Sequence, residues 1–177
     1  EQQQYNLKKT LELLDREEFD RAVQAIRTAR RVFIYVKNAS RAPAQLLEFR
    51  LRRIGIDVHK IPSGGSELLE WLAPMCSEDL VILFGFSKVS SEGRVILDYQ
   101  KRAGYTTLLF TGRAYHDEEQ RADINLLVYR GEENEFHSMS APVAVADALV
   151  LALSAQMGTD AVNSLETVRK LKTQYGK

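Results

Sequence analysis

The sequence has few of the residues that cross-link a chain, anchor it in a membrane or export it. Cys76 is the only cysteine among 177 residues, so no internal disulfide can form, which fits a reducing compartment. Uninterrupted apolar runs reach the length of a strand, whereas a membrane span needs roughly 20 residues. The polar start, Glu1 to Gln4, has neither a leader nor an initiator Met, which suggests a fragment of a longer protein. We therefore expect a cytoplasmic protein without a membrane span.

An excess of charge of either sign is also missing. The 24 basic and 24 acidic side chains cancel, which argues against broad electrostatic capture of DNA or anionic lipid by this chain alone. The histidines, His59, His116 and His137, are scattered without the spacing of metal ligands. The sequence contains no GxGxxG, Walker-type or GxSxG motif. We expect neither a metal nor a cofactor.

What the sequence does contain is a regular alternation of helical and strand-like segments. In the stretch 1–28, Leu7, Leu11 and Leu14 recur at a helical period, and Asp15 is placed to cap a second helix. Strands are predicted at 32–36, 56–61, 79–86, 105–110 and 124–129, and the run at 32–36 has no polar alternation, which indicates a strand covered on both faces. Helical periodicity separates these runs, with a short helix expected before the last strand, and returns after it. This alternation predicts an α/β fold, a three-layer α/β/α arrangement with a five-stranded parallel sheet.

Small hydroxyl side chains are concentrated in two of the predicted strand-to-helix turns. These are Asn38 to Arg41 and Ser87 to Glu92. A helix N-terminus offers unpaired N–H groups and a partial positive charge, so a phosphate can bind there with serine hydroxyls as further donors. The alternative is that Ser40, Ser87 and Ser90 only cap their helices, since serine is a preferred capping residue. Because both turns open at the same edge of the predicted sheet, we favour a phosphate site.

Charged and titratable side chains accompany these turns. Lys37, Arg41 and Lys88 could neutralise a phosphate, or each could simply face water. Glu135 and His137 precede the last long helix, where an acid and an imidazole could shuttle protons. An ordinary loop pair is the alternative, and the spacing alone favours it.

The order of these segments resembles a known family, the SIS (sugar isomerase, phosphosugar-binding) domain. Segments 31–40 (RVFIYVKNAS) and 51–55 (LRRIG) resemble its first strand, phosphosugar loop and helix. Segment 84–92 (FGFSKVSSE) is similar to its second signature, and 135–149 (EFHSMSAPVAVADAL) to its third conserved block. Segment 11–23 (LELLDREEFDRAV) is similar to the helical connector of one branch, the RpiR-type transcription regulators, in which a helix-turn-helix domain precedes the SIS domain.

The resemblance implies a flavodoxin-like fold, a homodimer or homotetramer, and a sugar phosphate effector. It implies a helical connector at 1–28 and one SIS domain at 29–177, with DNA bound only through an absent N-terminal domain. No residue is expected to be catalytic. The candidate ligand-binding residues are Asn38, Ser40, Arg41, Ser87, Lys88, Ser90, Glu135 and His137.

Three positions depart from the family pattern, because Val36, Asn38 and Lys88 stand where glycine is usual. Three hypotheses therefore remain. The leading one is the effector-sensing domain of an RpiR-type regulator. The second is an aldose–ketose phosphate isomerase in which Glu135 is the base and His137 assists ring opening. The third is a degenerate domain that only assembles subunits, with Lys88 filling the pocket and paired with a carboxylate such as Glu92.

Overall fold

The structure, a computed structural model, describes residues 1–114, 120–132 and 134–176. Its helices are α1 (Gln2–Leu13), α2 (Arg16–Thr28), α3 (Arg41–Arg53), α4 (Ser66–Leu72), α5 (Ser91–Ala103), α6 (Ser140–Met157) and α7 (Thr159–Tyr175). Its strands are β1 (Arg31–Tyr35), β2 (Val58–Lys60), β3 (Asp79–Gly85), β4 (Thr106–Thr111) and β5 (Ile124–Leu127). The short helix predicted before β5 falls on 115–119, which lie outside the described residues.

The strands form one parallel sheet in the order β2-β1-β3-β4-β5. This confirms the predicted α/β fold with a five-stranded parallel sheet. All of β3 is buried, because a central strand with helices on both faces has no side exposed to water. The strand order reverses between β1 and β3, and ligands of open parallel sheets bind outside the carboxyl ends of the strands at such a point.

Two apolar cores lie on opposite faces of the sheet. Alternate residues of β1 serve each face: Val32 and Ile34 join the core under α2, α3 and α6, while Phe33 and Tyr35 join the core under α4 and α5. This period-two alternation is the geometry of an extended strand. Since each core is covered by helices, the arrangement is the predicted three-layer one.

The two N-terminal helices differ in how they join this fold. Asp15 caps α2 by accepting hydrogen bonds from the amides of Glu17 and Glu18. Helix α2 packs its apolar side against the core, where Val23 and Ile26 are fully buried. Helix α1 buries only two polar residues, Asn6 and Thr10. The separation of 1–28 as a connector from 29–177 stays a prediction.

Helix α6 corrects the expectation that apolar segments stop at strand length. It has 18 residues with a mean hydropathy of 1.5, enough by length and composition alone to cross a membrane. The sequence predicts this helix, but its length as an apolar segment was missed because Asp147 and Ser154 interrupt the run. The helix packs against α1, α2, α3 and α7, and its buried residues belong to the core on that face of the sheet. Packing inside the fold therefore accounts for its composition.

Charges at the amino edge of the sheet are paired. The buried Asp79 carboxylate accepts hydrogen bonds from Arg31 at 2.7 Å and from the amide of Cys76 at 3.0 Å. Arg30 lies 3.4 Å from the same carboxylate. Burial by itself would raise the pKa of Asp79, but the bonds from Arg31 and Cys76 outweigh it and lower the pKa below its ordinary value.

Candidate functional site

A cavity of about 310 Å³ opens at the carboxyl edge of the sheet, between the turns that follow β1 and β3. We call it the turn cavity. It lies at the point where the strand order reverses, which is where the fold predicts a ligand. The predicted site residues that line it are Asn38, Ser40, Ser87, Lys88 and Ser90.

The turn after β1 leaves its serine hydroxyl unused by the helix. Asn38 has a φ of 53°, the left-handed conformation that glycine favours and asparagine tolerates. Residues Asn38–Ser40 form a 3₁₀ turn that continues directly into α3. Because Ser40 already has a helical conformation, it makes no side-chain capping hydrogen bond within the described part of the chain. The capping interpretation is therefore wrong for Ser40.

The turn after β3 divides its polar residues between two roles. The Ser90 hydroxyl accepts a hydrogen bond from the Gly93 amide at 3.1 Å and lies 2.9 Å from the Tyr35 hydroxyl. Ser90 therefore caps α5, as the alternative interpretation held. Ser87 and Lys88 are exposed at the cavity, and Lys88 forms no ion pair with any described residue.

One ion pair crosses from the first turn to the second. The Lys37 ammonium lies 2.8 Å from the Glu92 carboxylate. This contact, with smaller contributions from the Glu92 amide and the Ser91 hydroxyl, lowers the pKa of Glu92 to about 2. The hypothesis that Lys88 pairs with Glu92 is therefore wrong: Lys37 holds this carboxylate, and no other carboxylate in the described ranges pairs with Lys88.

Arg130 is the cavity residue that the sequence analysis missed. It donates to the Ser87 hydroxyl at 3.3 Å and lies 3.5 Å from Nδ1 of His137. Its guanidinium carbon is 4.3 Å from the centroid of the Phe86 ring. Burial lowers the pKa of Arg130, and no described carboxylate pairs with it. An anion beside such a half-buried cation would offset its lost hydration.

The other predicted site residues lie outside the turn cavity. Arg41 lines a neighbouring cavity of about 280 Å³. His137 lines another, of about 420 Å³, which shares Ser87 and Arg130 with the turn cavity. Glu135 is exposed and accepts hydrogen bonds from Gln2 and from the amide of Glu132. The structure therefore brings five of the eight predicted residues together and leaves the Glu135 carboxylate apart from them.

A signal for Arg130 was present in the sequence. The residue follows the end of β5 closely, at the same edge of the sheet as the two serine turns. A search for hydroxyls at helix starts passes over it, because no helix begins there. Groups of His, Cys, Asp or Glu that could hold a metal ion are absent from the described ranges.

The structure is an α/β domain with an open parallel sheet, and serine hydroxyls and cations without a described carboxylate partner line the cleft at its reversal point. The family model described as "SIS domain" matches residues 25–152. The chain belongs to the SIS domain family. This confirms the resemblance drawn from the segments at 31–40 and 84–92.

Known relatives of the chain include transcription regulators. It is 26% identical over 148 residues to an uncharacterized HTH-type transcriptional regulator of Haemophilus influenzae, covering 83% of this chain and 50% of that protein. The chain therefore spans half the length of this curated relative. A solved structure, the sugar isomerase domain of an RpiR transcription factor from Sphaerobacter thermophilus, superposes with a TM-score of 0.86 at 25% identity, covering 96% of this chain and 94% of that one.

A second solved structure is the Vibrio vulnificus NanR protein in complex with ManNAc-6P. It superposes with a TM-score of 0.84, covering 99% of this chain and 68% of that one. At 18% identity, this likeness shows the fold alone.

Proposed function

We propose that the chain is the effector-sensing domain of an RpiR-type transcription regulator and that its ligand is a sugar phosphate. The observation that carries this proposal is Arg130, a half-buried guanidinium beside the Ser87 hydroxyl that pairs with no carboxylate of the described residues. The likeness to an HTH-type regulator and to an RpiR sugar isomerase domain supports the regulatory role. The sugar phosphate bound by the NanR relative supports the ligand class.

The charges around the turn cavity match a phosphate monoester. Lys88 and Arg130 line the cavity without a carboxylate partner in the described segments, while Lys37 is already neutralised by Glu92. A phosphate monoester carries a charge of about −1.5 to −2 at neutral pH, which two cations balance. Ser40 and Ser87 would add hydroxyl donors to its oxygens. The sugar would extend into the adjoining cavity beside His137.

The wider regulator belongs to the same proposal. A helix-turn-helix domain would precede the connector at 1–28, and the SIS domain at 29–177 would assemble a cytoplasmic homodimer or homotetramer. Ligand binding would shift the assembly between two arrangements and so change how the attached domains meet their operator half-sites. Sedimentation velocity of the chain would give the assembly state directly, and a monomer at micromolar concentration would contradict the assembly role.

Calorimetric titration tests the ligand. N-acetylmannosamine 6-phosphate, glucose 6-phosphate and fructose 6-phosphate would be titrated, with the unphosphorylated sugars as controls. We expect at least one phosphate to bind and none of the neutral sugars. Arg130→Gln should weaken that binding at least about tenfold, since a charge-assisted contact is lost.

Arg50→Gln is the matched control, because Arg50 pairs with Asp147 rather than lining the turn cavity. It should bind the same sugar phosphate as the wild type does. Equal affinity in the Arg130 variant, or heat from the neutral sugars alone, would contradict a sugar phosphate at this site.

The isomerase hypothesis is the second candidate, and the position of Glu135 disfavours it. A general base must lie within hydrogen-bond reach of the proton that it removes. The Glu135 carboxylate is bound at the surface by Gln2 and by the Glu132 amide. A coupled assay with hexose and pentose phosphates should show no turnover. Turnover that Glu135→Gln abolishes would establish the enzyme instead.

A further inference from the structure

Helix α1 is joined to the residue that precedes Arg130. The Thr10 hydroxyl accepts a hydrogen bond from the Tyr129 amide at 3.0 Å and lies 3.3 Å from the Tyr129 carbonyl. The same hydroxyl bonds the Asn6 carbonyl, one turn earlier in α1, at 2.8 Å. The hydroxyl therefore accepts one full hydrogen bond from the Tyr129 amide, and its single hydrogen is shared between the Asn6 carbonyl at 2.8 Å and the more distant Tyr129 carbonyl at 3.3 Å.

Two further contacts join α1 to the loop between β5 and α6. The rings of Tyr5 and Tyr129 meet edge to face with their centroids 5.9 Å apart. Nearer the start of the helix, the Gln2 amide donates to the Glu135 carboxylate at 3.3 Å. The helix thus contacts this loop at three points along its length.

Helix α1 joins the fold through both apolar and polar contacts: Leu7 is partly buried against the core, and the helix lies against α6. The buried residues of α1, Asn6 and Thr10, are both polar. Asn6 is fully buried, and its side-chain nitrogen has no partner among the described residues. A buried donor without a partner destabilises the docked state. A terminal helix whose apolar side chains are only partly buried lies toward the low-stability end of a fold, so a small change at Tyr129 can alter the stability of α1.

We infer that Thr10 and Tyr129 are positioning residues that transmit occupancy of the turn cavity to α1. This inference rests on the proposed function, since it requires an anion at Arg130. Among the described residues, the guanidinium of Arg130 contacts Ser87, His137 and the Phe86 ring and no carboxylate. A bound anion fixes the guanidinium. Because Tyr129 and Arg130 share a peptide bond, this also orders the backbone that Thr10 holds.

Hydrogen–deuterium exchange of the full chain tests the coupling, with inorganic phosphate as the probe. In the wild type, saturating phosphate should slow exchange in the turn at 87–92 and should slow the α1 amides at least about threefold. Thr10→Val keeps the shape of the side chain but removes both bonds to Tyr129. This variant should retain protection of the turn and lose the response of α1.

Two control variants separate the coupling from general stability. Thr28→Val removes an exposed hydroxyl that bonds only the Gln24 carbonyl of its own helix, and it should keep the α1 response. Thr10→Ser keeps the hydroxyl and should keep the response too. A response lost in either control, or kept in Thr10→Val, overturns the inference.

The wild-type result separates this inference from the proposed function. Protection of the turn without any change in α1 overturns the coupling and leaves the anion site standing. If neither the turn nor α1 responds to phosphate, both the site and the coupling are overturned.

Discussion

The two edges of the sheet differ in whether their charged side chains are paired. At the amino edge, the buried Asp79 carboxylate is paired with Arg31 at 2.7 Å and bonded by the Cys76 amide. At the carboxyl edge, Arg130 is half-buried without a carboxylate partner in the described chain, and Lys88 is exposed without one.

This difference in pairing distinguishes charges that stabilise the fold from charges that are free to contact a ligand. A buried ion that is fully hydrogen-bonded has recovered in the fold much of what it lost in leaving water. Arg130, a half-buried cation without a described carboxylate partner, has not recovered its lost hydration in this way. Groups that the fold leaves unfavourably placed cluster at functional sites. The comparison therefore predicts that the amino-edge charges stabilise the fold and supports the proposal that the carboxyl-edge cations bind a ligand.

The largest expected effect is at the amino edge. Asp79→Ala should lower the free energy of unfolding by about 3 kcal/mol, because it leaves the Arg31 guanidinium and the Cys76 amide without their partner. Urea denaturation measures this loss. Asp98→Ala is the control, since the exposed Asp98 has only a 4.0 Å contact with Lys101. It should change stability by less than about 0.5 kcal/mol.

The same measurement should give the opposite outcome at the carboxyl edge. Arg130→Gln should leave the free energy of unfolding within about 0.5 kcal/mol of the wild type, since no ion pair is lost. A loss as large as that of Asp79→Ala would show that Arg130 holds the fold, and the contrast between the edges would fail.

A smaller effect on stability distinguishes Ser90 from Ser40, two of the serines that line the turn cavity. Ser90→Ala should destabilise the chain by about 1 kcal/mol, because the Gly93 amide loses its cap. Ser40→Ala should change stability by less than about 0.5 kcal/mol, since α3 gains no cap from it. Thermal unfolding of both variants measures the difference. Equal losses would mean that both hydroxyls serve the helices.

The smallest expected effect is in how the stability contribution of Asp79 depends on pH, because that contribution changes little near neutral pH. Its pKa is lower in the folded chain than in the unfolded one, so its contribution to stability is present above the unfolded pKa and is lost as the pH falls through the folded pKa. The difference in urea midpoint between wild type and Asp79→Ala should stay constant from about pH 7 to 5 and shrink below about pH 4. A difference that persists in acid would mean that packing, not charge, makes Asp79 important.

Local patterns predicted the strands well where both faces are buried. The run predicted at 79–86 is observed as β3 at Asp79–Gly85, because a central strand must be apolar throughout. The run predicted at 56–61 shortens to Val58–Lys60 in β2. This strand lies at the edge of the sheet and pairs with β1 alone, so fewer of its residues are held in the ladder.

Only those features of the site that lie within one turn of the chain could be predicted from the sequence. Serines near a helix start are visible in sequence, but their roles depend on backbone angles. Ser90 is extended and caps α5, whereas Ser40 is already helical and caps nothing in the described structure. Arg130 follows β5, which lies two places from β3 and three from β1 in the order of the sheet. No local sequence pattern shows that it reaches the same cavity as the turns after β1 and β3.

The amino-acid sequence by itself determined the alternation of helices and strands, the parallel sheet and the family, because these follow from the period of apolar residues and from short turn segments. Only the tertiary structure decided which charges are paired. Lys37 rather than Lys88 meets Glu92, and Arg130 meets no carboxylate in the described chain. Ion pairing depends on distances of a few ångströms between side chains far apart in sequence, and these distances exist only once the sheet has brought its strand ends together.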